Sequence, residues 1–248
     1  MSSTEKRLLN IAHRGFSSAF PENTLLAFDE GMKAGADGFE CDLRLSADGH
    51  VVVFHDDDLV RLCGRLGSIE KLTWKEIQTL KVKNKAPIPS LEQLLTDFHT
   101  TRINLEIKRS DREPVLVEAV LRELTKIRPK GKILFSSFSA SILRCLRLMD
   151  AEGKLGDLGI LVEKEEINEL AALTQELRPA TWNVPKQILD ANLKGLGGSL
   201  KLPPLWVWTL EDPGLWKRVL DSDLPFEAII TNRPDALKAF LDAEMADK

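Results

Sequence analysis

The chain of 248 residues is long enough to bury a full core as one large domain. Its 34 lysines and arginines against 38 aspartates and glutamates leave a net charge of −4 with no long basic block. That balance excludes a surface that tracks nucleic-acid phosphates and leaves any small anionic ligand dependent on local cations. The three cysteines, Cys41, Cys63 and Cys145, lack C-x-x-C spacing, so neither a disulfide framework nor a structural zinc site is indicated. A polar lead without an apolar run, and no later run of transmembrane length, point to a cytoplasmic protein without stable membrane insertion.

Leu8-Leu9-Asn10-Ile11-Ala12 is expected as a first strand, ended by His13-Arg14-Gly15, where glycine lets the backbone turn sharply or approach a ligand. A lone histidine is more often structural, but the planar donor fork of the adjacent Arg14 suits a phosphate or carboxylate. Pro21-Glu22-Asn23-Thr24 introduces a helix capped by Asn23 or Thr24, with Leu25, Leu26, Phe28 and Met32 as its apolar residues and Gly35 near its end. Glu22 reads equally as a favourable charge at a helix start or as support for a site.

A second strand carries Glu40 and Asp42 on one face and Phe39, Cys41 and Leu43 on the other. Such a pair of acids either meets water or shares a hard divalent cation such as Mg2+ or Ca2+. Val51-Val52-Val53-Phe54 then runs into His55 and three aspartates, setting a residue suited to proton transfer beside acids. The stretch from about Arg44 to Pro89 is too long for an ordinary loop and reads as an insertion carrying His55, with a capping box at Thr73-Trp74-Lys75-Glu76. A second box, Ser90-Leu91-Glu92-Gln93, opens a helix through Phe98. Along Arg102 to Lys108 the residues alternate, so Asn104, Glu106 and Lys108 share a polar face: an exposed salt-bridged ladder, or a third metal carboxylate beside a lysine that meets an anion.

A helix over 114–127 follows, then a strand at 133–135 and a helix after Ser139. Further strands are expected at 158–162, 181–184, 205–208 and 228–230, separated by helical stretches. Eight strands alternating with helices fit a closed (β/α)8 barrel better than an open sheet, so functional side chains should gather at its C-terminal mouth. His13, Asp42 and Lys108 all fall at expected strand ends, and Trp208-Thr209 and Thr231-Asn232 occupy corresponding places.

In this order His13-Arg14-Gly15, Pro21-Glu22-Asn23-Thr24, Glu40-x-Asp42, Phe54-His55-Asp56 and Glu106-x-Lys108 resemble the glycerophosphodiester phosphodiesterase family. The resemblance extends from Ile11 to Pro234 and includes Ser137-Phe138, Trp208-Thr209 and the insertion. Each motif alone is weak, and the ordered set is specific. It implies a single TIM-barrel domain over residues 1–248 that hydrolyses diesters such as glycerophosphocholine and glycerophosphoethanolamine to glycerol 3-phosphate and an alcohol. It also implies that the substrate's own glycerol hydroxyl attacks first, giving a cyclic phosphate that water opens. Two departures touch the mouth: Asn232 stands where the family commonly has aspartate, and the segment Thr209-Leu210-Glu211-Asp212 lacks the usual polar residue.

Cleaving an anionic phosphodiester requires a cation to neutralise charge, a base, and an acid for the leaving alcohol. Glu40, Asp42 and Glu106 are the expected ligands of Mg2+ or Ca2+, His13 and His55 the acid and base pair, and Arg14 and Lys108 the phosphate contacts. Trp208 reads as a wall of the substrate site or as core packing. Alternatives are a related barrel that stops at the cyclic phosphate or acts on lysophospholipids, and a non-catalytic phosphodiester-binding protein.

Overall fold

The computed structural model describes residues 7–163, 167–189 and 201–246. Eight parallel strands close on themselves: β1 (Leu9–His13), β2 (Gly38–Leu45), β6 (Arg102–Ile107), β7 (Ile133–Ser137), β8 (Asp157–Leu161), β9 (Thr181–Pro185), β10 (Leu205–Trp208) and β11 (Phe226–Thr231). The barrel shuts because β1 pairs with both β2 and β11. Around it lie α1 (Leu25–Lys33), α4 (Leu91–Asp97), α5 (Glu113–Ile127), α6 (Ala140–Met149), α7 (Ile167–Leu177), α8 (Pro213–Leu220) and α9 (Pro234–Ala246). The expected TIM barrel is therefore present. The segment after β9 opens with a 3-10 turn, Lys186–Leu189, and residues 190–200 lie outside those described.

Local chemistry sets the helix starts. Thr24 accepts the Ala27 N–H, Ser139 that of Ile142 and Asp212 that of Leu215, each satisfying one orphan donor of a first turn. Both expected capping boxes, Thr73 with Glu76 and Ser90 with Gln93, form reciprocally. Asn23 is not the cap of α1; it stands one residue earlier with φ 56° and serves the site instead.

The strands divide their side chains between two compartments. Phe39, Cys41 and Leu43 enter the main core between barrel and helices, where Phe39 stacks on Phe28 at 4.3 Å between ring centroids and meets Phe98 edge-on at 5.0 Å. Inside the barrel an apolar cluster of Ile11, Leu134, Trp206, Ala228 and Ile230 sits apart from a polar set that includes Glu40, Asp42, Asn104 and Ser136. Asp42 lies three residues short of the end of β2, because Leu43–Leu45 continue beyond the barrel to pair antiparallel with β3 (Val51–Val53). It still stands beside Glu106 of β6.

The insertion between β2 and α4 contains β3, α2 (Val60–Cys63), a 3-10 turn at Ile69–Lys71, α3 (Trp74–Ile77) and the short hairpin of β4 (Lys81–Val82) and β5 (Ala86–Pro87). It has its own apolar centre of Val52, Phe54, Leu59, Leu62, Ile69, Ile77, Val82 and Ile88. That centre makes it a packed platform, so His55 is carried on an ordered support rather than a floppy excursion.

One glycine fixes the chain where the site begins. Gly15 has φ +79°, and a Cβ there would lie 2.4 Å from the Ala27 carbonyl carbon, a backbone atom that cannot step aside. Gly49 has φ +88° and open space around it. Urea denaturation of Gly15→Ala should therefore show a loss of at least ~2 kcal/mol from strain plus clash, and Gly49→Ala only about 1 kcal/mol from its backbone conformation. Equal losses in the two variants would contradict this account of the turn.

Candidate active site

Parallel register brings three acids together. His13 is level with Glu40, Glu40 with Asn104, and Asp42 with Glu106, so residues far apart in sequence form one ring at the C-terminal mouth. Glu40, Asp42 and Glu106 each offer a carboxylate oxygen within 4.8 Å of the others. Glu40 and Asp42 are 3% and 1% exposed, which makes this concentration of charge costly unless cations answer it.

The protein supplies two cations and one amide. Lys108 Nζ lies 2.5 Å from Glu106 Oε1 and 3.3 Å from Asp42 Oδ1, while Arg14 Nε is 3.2 Å from Asp42 Oδ2. Asn23 Nδ2 donates to Asp42 Oδ2 at 2.7 Å. Arg14, Lys108 and the Asn23 bond outweigh burial and hold the Asp42 carboxyl well below its ordinary range. Glu40 goes the other way: burial first, then the charges of Asp42 and Glu106, push it well above the usual carboxylate range. Burial and Asp42 likewise raise Glu106.

Arg14 reaches this position through an uncommon backbone, φ 56°, in the left-handed region. The turn directs its main-chain N–H to Glu40 Oε2 at 3.1 Å and its guanidinium over Asp42 and Glu22, with Nη1 donating to Glu22 Oε1 at 2.8 Å. Arg14 and Asn23 are thus two left-handed non-glycine residues at one site, strain of a kind that clusters where function requires a fixed geometry. Glu22 is buried and ion-paired, so it supports the site rather than serving only as a helix-start charge.

Both histidines line one cavity and hold Nδ1 against a side-chain oxygen. His13 Nδ1 lies 2.6 Å from Asn232 Oδ1, and the Asn232 Nδ2 amide is turned outward to donate to Glu211 Oε1. An amide oxygen only accepts, so His13 donates from Nδ1 and leaves Nε2 without a proton, 3.9 Å from Glu40 Oε2. Burial, then Arg14, lower the His13 pKa to about 4 against the lift from Asn232, so the ring is neutral near pH 7. The two departures from the family pattern therefore meet, Asn232 bonding Glu211 of the Thr209–Asp212 segment, with that carboxylate one hydrogen bond farther from His13 than an aspartate at 232 would place it.

His55 Nδ1 is 2.6 Å from Asp56 Oδ1. Arg61 and His55 overcome burial to keep Asp56 ionised, with its pKa lowered to about 2, so His55 also donates from Nδ1. Burial lowers the His55 pKa, partly countered by Asp42 and Asp56. The backbone here is held by the buried Arg44, whose Nε donates to the His55 carbonyl at 2.9 Å and whose Nη2 lies 2.5 Å from Asp57 Oδ1.

A cavity of about 120 Å3 is lined by His13, Arg14, Glu40, His55, Glu106, Lys108 and Trp208, with Asn104, Phe138 and Thr209 among its other walls. Seven of the eight side chains singled out from sequence line it, and the eighth, Asp42, lies behind them in contact with Arg14 and Lys108. Trp208 is half-buried, packs edge-on against Phe138 at 5.8 Å and donates from Nε1 to the Asn183 carbonyl at 2.9 Å. Sequence reasoning missed Asn23 as a carboxylate partner and missed Arg44 and Arg61 altogether. An asparagine beside a helix start is ordinarily a cap, and the two arginines meet their partners only in three dimensions.

The sequence pattern of the Glycerophosphoryl diester phosphodiesterase family matches residues 13–236. The chain belongs to this family. It is similar to the glycerophosphodiester phosphodiesterase of Caldanaerobacter subterraneus, 30% identical over 93% of this chain and 96% of that protein. Among solved structures it is similar to the glycerophosphodiester phosphodiesterase of Thermotoga maritima, with TM-score 0.76 and 29% identity over 94% of this chain and 98% of the other. A phosphodiesterase of Oleispira antarctica in complex with the product sn-glycerol-3-phosphate shares the fold, with TM-score 0.82 and 24% identity over 94% and 96% of the two chains. The chain is thus a glycerophosphodiester phosphodiesterase, a phosphoric diester hydrolase.

Members of the family depend on a divalent metal, and the residues present fit one. The buried Oε1 of Glu40 has no hydrogen-bond partner, and all three clustered donors are carboxylate oxygens, the donor type that hard cations prefer. Among the described residues, no helix is long and apolar enough to cross a membrane.

Raised carboxyl groups make the metal-free protein sensitive to pH. The folded state keeps protons on Glu40 and Glu106 where the unfolded chain has released them, so their stabilising contribution is complete below the ordinary carboxylate range and lost as pH rises through the raised values. In chelator, the urea midpoint should fall more steeply for the wild type than for Glu40→Gln as pH rises above the ordinary carboxylate range. Mg2+ or Ca2+ should oppose that fall. Parallel curves for the two proteins would remove Glu40 as the source.

Proposed function

We propose that this enzyme hydrolyses glycerophosphodiesters to glycerol 3-phosphate and an alcohol by metal-dependent catalysis in which His13 and His55 transfer protons. Glycerophosphocholine, glycerophosphoethanolamine and similar compounds are its substrates in this reading. The observation that carries it is one cavity lined by two histidines, each with Nδ1 held by a side-chain oxygen, together with Glu40, Glu106, an arginine and a lysine, with Asp42 directly behind them. The bound product of the Oleispira antarctica protein supports glycerol phosphate as the recognised half.

Glu40, Asp42 and Glu106 would hold Mg2+ or Ca2+, which supplies positive charge against the anionic diester. Arg14 and Lys108 bind and orient phosphate oxygens, and their existing contacts with Asp42 keep both side chains extended toward the cavity. One histidine takes the proton of the attacking hydroxyl at its free Nε2, and the other acts in its imidazolium form, protonated at Nε2 as well as Nδ1, and gives the Nε2 proton to the departing alcohol oxygen. The pair is asymmetric: His55 has a carboxylate behind it that stabilises an imidazolium, whereas His13 has a neutral amide. The chain acts as a single domain in this reading, and its three free cysteines support a reducing, cytoplasmic setting.

His13→Ala and His55→Ala should each reduce kcat by roughly a hundredfold or more while melting near the wild type, and the double variant should lose far less than the product of the two. Chelation should abolish glycerol 3-phosphate release, and Asp42→Asn should weaken metal affinity measured by calorimetry. Full turnover in either histidine variant would assign that residue a packing role. Phosphorus NMR separates complete hydrolysis from an enzyme that stops at a cyclic phosphate.

The alcohol side is read loosely. The cations face the phosphate, the chain has no tyrosine, and the mouth offers Trp208 against Phe138 as an apolar wall. Values of kcat/KM for glycerophosphocholine, glycerophosphoethanolamine and glycerophosphoglycerol should agree within about tenfold, ~1.4 kcal/mol. Trp208→Ala should alter that profile. A thousandfold preference for one alcohol would refute loose reading.

A further inference from the structure

We propose that Arg61, on the insertion helix α2, is a positioning residue that joins the proton-transfer side of the site to its phosphate-binding side. This rests on the roles given to His55 and Arg14 above. Arg61 does not line the cavity. Its guanidinium nevertheless engages two carboxylates at once: Nε and Nη2 donate to Asp56 Oδ2 and Oδ1 at 2.7 and 2.8 Å, and Nη1 and Nη2 donate to Glu22 Oε2 and Oε1 at 2.7 and 2.8 Å.

Each carboxylate then reaches a functional side chain. Asp56 Oδ1 accepts from His55 Nδ1 at 2.6 Å, and Glu22 Oε1 accepts from Arg14 Nη1 at 2.8 Å. A continuous path runs Arg14, Glu22, Arg61, Asp56, His55, from the first βα loop of the barrel to the insertion. Four of the five guanidinium N–H donors are used, in two forked pairs that an ammonium cannot reproduce. Arg61 sits between the buried Leu59 and Leu62 of the insertion core, so its backbone is anchored although its side chain is 47% exposed. Arg44 holds the main chain at His55 and Asp57, which leaves the orientation of the His55 ring to Asp56 and therefore to Arg61.

An exposed ion pair would contribute little and would be replaceable by lysine. A shared fork makes a different prediction, because one group holds both carboxylates through hydrogen bonds. Asp56→Asn should act mainly on kcat through His55, and Glu22→Gln mainly on KM through Arg14. Arg61→Met should do both, lowering kcat/KM by about tenfold or more. The Asp56→Asn and Glu22→Gln effects should be non-additive when Arg61 is present and additive in the Arg61→Met background. Arg61→Lys should restore the melting temperature without restoring kcat.

The deciding measurement does not need turnover. In the metal-free protein, 15N NMR should show His55 protonated at Nδ1 in the wild type, and Arg61→Met should convert it to a mixture of tautomers while the melting temperature changes by only a few degrees. Asp56→Ala removes the acceptor of His55, keeps the Arg61 contact with Glu22 and tests the His55 half separately, which covers an Arg61→Met protein that fails to fold. An unchanged His55 tautomer in both variants, or additive Asp56→Asn and Glu22→Gln effects with Arg61 present, would overturn the proposal. An inactive wild type with the expected tautomer response would instead count against the assigned reaction and leave the linkage standing.

Discussion

Three carboxylates gathered on adjacent strands inside a low-dielectric barrel are the constraint around which the rest of the molecule is arranged. Ions of like charge held this close repel, and burial strengthens the repulsion. The chain answers with Arg14, Lys108 and Asn23, all directed at Asp42, and leaves Glu40 and Glu106 favouring protons. A divalent cation addresses the same imbalance, so affinity for metal and internal electrostatic strain have one origin.

That concentration of polar groups is tolerable because apolar surfaces brace it. Within the barrel, Ile11, Leu134, Trp206, Ala228 and Ile230 pack together, and outside it Phe28, Phe39 and Phe98 clasp the strand that carries Glu40 and Asp42. The insertion adds a third apolar body, and Arg44 and Arg61 fasten it to the barrel. His55 is therefore placed by a packed unit with charged ties, an arrangement suited to holding a ring within the small tolerances that proton transfer demands.

The two histidines show how one requirement is met in different ways. Each has its Nδ1 within hydrogen-bond distance of a side-chain oxygen, which in the proposed reaction leaves Nε2 for the substrate. His55 uses a carboxylate gripped by an arginine, and His13 uses an amide whose own N–H group is taken by Glu211. The amide fixes the tautomer without placing a negative charge against the ring, which leaves burial and Arg14 free to depress the His13 pKa to about 4.

The sequence by itself determined the alternation of strands and helices, both capping boxes, the presence of an insertion and most of the side chains that line the cavity at the barrel mouth, because these depend on local periodicity, capping chemistry and ordered short motifs. Glu40-x-Asp42 and Glu106-x-Lys108 announce their shared faces through the two-residue repeat of a strand. Only the tertiary structure decided that Asp42 stands beside Glu106, that Asn23 leaves the helix cap to Thr24 and bonds a carboxylate, and that Asn232 meets Glu211. It also decided that one arginine of the insertion grips Glu22 and Asp56 together. Strand register, a left-handed turn at Arg14 and contacts across dozens of residues set these pairings, and none leaves a periodic or local trace in the chain.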